Sequence, residues 1–186
     1  MRLRSLFLLL VFAAITACKP AVELPILYPV PPTRLIADDG RQLSTESLAG
    51  QVAIYDFIFT RCGATCPMMT RAMQELTRKF PDDAPIRFVS VTVDPEHDTP
   101  EVLARYAETH RNDQRWMFLT GTREDVIDLS VKGFKLAAGD PVEGLEPFLH
   151  STRFVLVDKE GNIRGYYDSI EKEAMAKLVD DAKALL

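Results

Sequence analysis

The chain has 186 residues, 47% hydrophobic and 26% charged, with a formal net charge of −5, three cysteines and three histidines. That length holds one domain with a proper hydrophobic core, and no internal repeat or low-complexity tract divides it. The acidic balance argues against general nucleic-acid binding, because phosphate neutralisation favours a basic surface, and any metal site must draw on a very short set of soft ligands.

The first twenty residues, MRLRSLFLLLVFAAITACKP, carry two arginines, an apolar run from Leu6 to Ala14 and then small residues. This is the pattern of a secretory signal peptide over residues 1–18, too short for a comfortable membrane span. The segment ITAC resembles a bacterial lipoprotein cleavage box, which predicts Cys18 as the lipidated first residue of the mature chain, held at a membrane surface by acyl chains. The alternative is an ordinary signal peptide cut nearby, with Cys18 left as a thiol. Lys19 is not the aspartate that retains lipoproteins at the inner membrane in some bacteria, so either membrane of the cell envelope is open. Removing Arg2 and Arg4 leaves 20 basic against 27 acidic side chains, a formal charge of −7. Export also means an oxidising compartment, in which Cys62 and Cys66 can form a disulfide unless something keeps them reduced.

Residues 19–34, KPAVELPILYPVPPTR, hold five prolines and read as an extended spacer, with the folded domain spanning 35–186. LIADDGRQLS predicts two short strands around an Asp-Gly turn. QVAIYDFIF, residues 51–59, predicts a buried central strand. Pro67 then stands where a first helical residue would, and Met69, Met73, Leu76 and Phe80 recur at helical spacing as far as Pro81. IRFVSVTV (86–93) is a second buried strand, and DTPEVLARYAETH a helix opened by Thr99, Pro100 and Glu101. RWMFLTG is a third strand, TREDVIDLSVKGF a short helix, and STRFVLVDKEGNIRGYYD a hairpin. The chain closes on an amphipathic helix from about Ile170 to Leu186. This order predicts an α/β, thioredoxin-like fold with an N-terminal β-hairpin and an extra helix and strand between its halves.

In such a fold Cys62 and Cys66, in FTRCGATCPMM, lie where a central parallel strand meets the start of a helix, a place where open α/β sheets bind ligands. The helix N-terminus favours thiolate over thiol there. If the first turn of the helix includes both residues, their sulfurs share one face, close enough for a disulfide or for a common metal ion. Spacing leaves both open. Among the histidines, His97 falls in a polar loop and His110 at the end of an exposed helix. His150, in EPFLHSTRFVLVD, precedes a buried strand, and in this fold the loop before that hairpin lies beside the cysteine motif. Asp94 either tunes a nearby metal or shapes its turn and caps a helix. Met68, Met69 and Met73 invite a methionine metal-site reading, but at helical spacing Met69 and Met73 read as core, and the pairs Asp38–Asp39 and Asp82–Asp83 read as solvated turns.

Four segments, DFIFTRCGATCPMMTRAMQEL, SVTVDPEHDTPEVLARYA, WMFLTG and LHSTRFVLVDKEGNIRGYYD, together resemble the Sco (SenC) family of copper chaperones over residues 35–186. The resemblance implies one copper ion held by Cys62, Cys66 and His150, and work on the periplasmic side in supplying the dinuclear copper site of cytochrome c oxidase. The implied partner is its subunit II or another periplasmic cuproprotein, and a monomer is expected. Two thiolates and an imidazole suit Cu(I), with Cu(II) a second candidate, whereas zinc usually takes four ligands. The alternative is a thiol–disulfide oxidoreductase, with Cys62 attacking and Cys66 resolving. A structural disulfide is a third reading, although so small a loop would stabilise the fold only modestly. The interior of the loop, Gly63-Ala64-Thr65, departs from the proline or acidic residue that many members carry there.

Overall fold

A computed structural model describes residues 23–63, 65–136 and 151–186. Its frame is one eight-stranded mixed sheet in the order β1-β8-β7-β4-β5-β6-β2-β3. The strands are β1 (Tyr28–Pro29), β2 (Arg34–Ala37), β3 (Gln42–Ser44), β4 (Val52–Ile58), β5 (Ile86–Thr92), β6 (Trp116–Thr120), β7 (Arg153–Val157) and β8 (Asn162–Asp168). The helices are α1 (Cys66–Thr77), α2 (Pro100–His110), α3 (Arg123–Asp128), which runs on into a π turn, and α4 (Lys172–Leu185). Strands β4, β5 and β6 are parallel, while β7 runs antiparallel to β4 and β2 to β6. The thioredoxin-like fold expected from the sequence is present, with β2 and β3 as the leading hairpin.

Strand β4 is central because all seven of its residues are buried, which only a strand covered on both faces can satisfy. Val52, Ile54 and Ile58 face a core shared with Met69, Met73 and Leu76 of α1, Leu103 of α2 and Leu178 of α4. Ala53, Tyr55 and Phe57 face the opposite core, closed by Val126, Leu129 and Phe134. Met69 and Met73 are thus core residues, whereas Met68 is exposed. Thr99 caps α2 by accepting the Val102 amide, with Pro100 in the first turn. The β7–β8 turn is stabilised by the Asp158 carboxylate, which accepts the Glu160 and Asn162 amides and pairs with Arg164 at 2.8 Å. Gly161 supplies the positive φ that the turn requires.

One expectation changes. The proline-rich stretch is not a spacer from residue 23 onward, since it lies against the sheet. Leu24 is buried in the core beneath α4, β1 pairs with β8, and Arg164 donates to the carbonyls of Leu24 and Pro25. Prolines suit this position because an edge strand needs few amide donors. Loss of residues 23–34 should therefore destabilise the domain by about 2 kcal/mol or more, the cost of emptying one buried leucine site. Urea denaturation of chains starting at residues 23 and 35 would measure it.

Candidate metal centre

The chain leaves β4 at Ile58, and Thr60 is fixed by Asp98, a fully buried residue from the loop after β5. The Asp98 carboxylate accepts the Thr60 amide at 3.0 Å, the Thr60 hydroxyl, the Thr92 hydroxyl at 2.6 Å, and Nδ1 of His97 at 2.8 Å. Buried carboxylates persist where donors replace water, and four donors do so here. Arg61 reaches back to Asp94 of the same loop, with Nε at 3.1 Å. Two residues before Cys62 are thus tied to two aspartates more than thirty positions later. Asp94 uses its backbone carbonyl to close the turn, accepting the His97 and Asp98 amides, and its side chain to hold Arg61. It does not cap α2, which Thr99 does.

Helix α1 begins at Cys66, so Cys62 lies ahead of it, and the condition that the first turn include both cysteines is not met. The sulfurs still converge, by a different route. The Cys66 amide donates to Sγ of Cys62 at 3.5 Å, so that sulfur meets an otherwise unpaired amide at the positive end of the helix. Both residues are thiols. Cys62 is half-buried, while Cys66 is only 4% exposed within the core. Burial, and after it the hydrogen-bonding Cys62 sulfur beside it, together push the Cys66 thiol up to about 12. The pair therefore combines an accessible sulfur with one that ionises only when something positive compensates it, a combination that fits a thiophilic cation.

His150 and Cys18 lie outside the described residues. Ser151, which follows His150, leads into β7, and the pairing of Tyr55 with Val155 carries the start of β7 toward the Phe57 end of β4, where the cysteine motif begins. His110 sits at the other end of α2 from Asp98, its ring 4.3 Å from that of Tyr106 and its pKa lowered by burial. Asp94, His97 and Asp98 bring ligand atoms within 4.8 Å of one another, but those carboxylates already hold Arg61, Thr60 and Thr92.

Sequence reasoning missed the roles of Thr60, Arg61 and Asp98, and it missed Asp56. This aspartate sits in the middle of β4, is 0% exposed and has no hydrogen-bond partner at either oxygen among the described residues. An acid inside the apolar run VAIYDFI was the available signal. Burial lifts its carboxyl to about 7, and Ser90, its cross-strand neighbour, lowers it in part without a hydrogen bond of proper geometry. Because folding raises this pKa from 3.8, the folded state binds the extra proton, and stability falls as pH climbs from 4 toward 7, then levels off. Asp56→Asn removes that penalty. Its stability advantage over the parent chain should grow by about 2 kcal/mol between pH 5 and pH 8 in urea denaturation.

The sequence pattern of the SCO1/SenC family matches residues 30–186. The SCO1 protein homolog of Bacillus subtilis is 33% identical over 179 residues, covering 94% of this chain and 92% of that protein. Among solved structures, BsSco, described as having a disulfide switch and as a member of the Sco family of cytochrome c oxidase assembly proteins, superposes with a TM-score of 0.76 at 33% identity. That match covers 88% of this chain and 96% of the other. A SCO1/SenC family lipoprotein from Bacillus anthracis gives 0.74 at 30% identity, covering 85% and 95%. Copper-bound ScoI from Bradyrhizobium japonicum shares the fold, with a TM-score of 0.71 at 22% identity over 85% and 99% of the two chains. The "Putative copper-binding protein" of Stutzerimonas stutzeri is 31% identical over 146 residues, covering 77% of this chain and 71% of that protein. This chain belongs to the SCO1/SenC family.

Proposed function

We propose that the protein is a copper chaperone that binds one copper ion through Cys62, Cys66 and His150 and delivers it to an apo-acceptor in assembly of the dinuclear copper site of cytochrome c oxidase. The observation that carries this reading is the meeting of an accessible and a buried cysteine at the start of α1, on a loop fixed by Asp98 and Asp94. The copper-bound relatives and the oxidase-assembly relative support it. A site of two thiolates and one imidazole suits Cu(I). Half-exposed Cys62 is the sulfur at which an acceptor thiolate can displace the chain by ligand exchange, and buried Cys66 is the last to let go. The acceptor we propose is subunit II of the oxidase or another cuproprotein on the periplasmic side.

The signal-like leader and Cys18 support attachment to a membrane of the cell envelope through a lipid. Among the described residues no helix is long and apolar enough to cross a membrane, and the family includes a lipoprotein. Metabolic labelling with a fatty-acid analogue should mark the chain and fail to mark Cys18→Ser.

Copper titration of the reduced protein, with metal counted per chain, tests the central claim. The parent chain should take up one ion, and His150→Ala should lose about a hundredfold or more in affinity while keeping its disulfide couple. Unchanged affinity would remove His150 from the site. A second reading, a thiol–disulfide oxidoreductase using Cys62 and Cys66, is favoured by the disulfide switch described for BsSco. It predicts turnover with a disulfide substrate and a suitable electron donor. No turnover with any donor counts against it.

A further inference from the structure

Asp56 has no evident structural task. Other acidic side chains of this fold that are buried are held by donors: Asp98 by Thr60, Thr92 and His97, and Asp158 by Asn162 and Arg164. Asp56 has none, and an aliphatic residue between Ile54 and Ile58 would fill the same space without the cost of an unpaired buried carboxyl. Its position in the sheet is specific. By the alternation of β4 it faces the core that also contains Cys66, and not the opposite one.

The groups on that side come from each neighbouring element. Ser90 on β5 receives the indole N–H of Trp116 from β6 at 2.9 Å. Cys66 and Thr70 come from α1, and Tyr106 from α2 shares a hydrogen bond with Thr70 at 2.8 Å. Phe154 on β7 contributes no charge, and among the described residues no cation acts on the Asp56 carboxyl. A negative charge on Asp56 is felt at both Cys66 and Tyr106. The coupling is mutual: charge gained at the cysteine pair must act back on Asp56.

We propose that Asp56 is the proton store of the cysteine pair, taking up a proton when Cys62 and Cys66 become the anionic ligands of a monovalent thiophilic cation and giving it up when the ion leaves. The inference rests on the copper function proposed above. Loading breaks two S–H bonds and forms two bonds from sulfur to the ion, so two protons leave the sulfurs. Two thiolates around a single positive charge leave one net negative charge in the apolar layer beneath α1. The Asp56 carboxylate takes one of the released protons and becomes a neutral acid, and the other proton goes to solvent. No electron is transferred. Asp56 acts through space, by keeping the total charge of the layer constant, and it touches neither the ion nor the acceptor.

The test is proton release on titrating the reduced full chain in detergent with Cu(I), supplied as its acetonitrile complex, in weak buffer near pH 8, about one unit above the carboxyl, where it is largely ionised. Asp56→Asn should release close to one more proton per bound ion than the parent chain. Infrared difference spectra of the parent chain should gain the carbonyl band of a protonated carboxylic acid on loading, and the Asn variant should lack it. Should the Asn variant not fold, the parent spectrum decides by itself. Binding of one ion with equal proton release and no carbonyl band overturns this inference and leaves the chaperone reading standing. Binding of no ion overturns both.

Discussion

A carboxylate from one loop holds the end of a strand from another, and the cysteine site depends on it. Where β4 leaves the sheet, its backbone loses the ladder that fixed it, and the chain toward Cys62 could take many paths. Asp98 removes that freedom by accepting both the amide and the hydroxyl of Thr60, while Asp94 holds Arg61. The loop carrying these acids is itself tied to the end of β5 through Thr92, whose hydroxyl donates to Asp98 and accepts the Asp94 amide. Two parallel strands thus end in one hydrogen-bonded knot, and the sulfur of Cys62 emerges from it opposite the first amides of α1. Burial makes the knot stiff, because each donor lost would leave a charge without water to replace it.

Charge is distributed unevenly around the motif. Asp94 is paired with the Arg61 guanidinium, and Asp98 is held by the Thr60 amide and by hydroxyls in place of water. Below the helix the situation reverses: Asp56 and Cys66 face the same core, burial raises the pKa of both, and a charge on Asp56 makes ionisation of Cys66 harder still. A cation of the kind proposed would meet a half-buried Cys62 on a loop tied down by Asp98 and Asp94, and a buried Cys66 whose ionisation burial opposes. Affinity and proton balance in such a site are coupled properties of the layer, and no single ligand sets them.

Much of the architecture was legible in the sequence because its signals are local or periodic. The apolar run of β4, the helical spacing of Met69, Met73 and Leu76, the Thr99-Pro100 start of α2 and the glycine turn between β7 and β8 each follow from short-range sterics and burial. The proline-rich segment was misread over residues 23–34 for the opposite reason. Its docking depends on Leu24 and on Arg164, some 140 positions away, and composition carries no trace of that distant partner. The same holds for Asp94, whose side chain answers to Arg61 and not to the helix that follows it.

The sequence by itself determined the α/β class, the central strand, the pair of cysteines before a helix and the family to which they point, since each is written in contiguous motifs. Only the tertiary structure decided how the pair is presented. It showed that Cys62 precedes α1 instead of lying in it, that Cys66 is the buried partner, that Asp98 and Asp94 fix the two residues before Cys62, and that Asp56 faces the core containing Cys66. These are properties of residues brought together across the sheet, where burial and charge depend on which groups meet and not on their order along the chain.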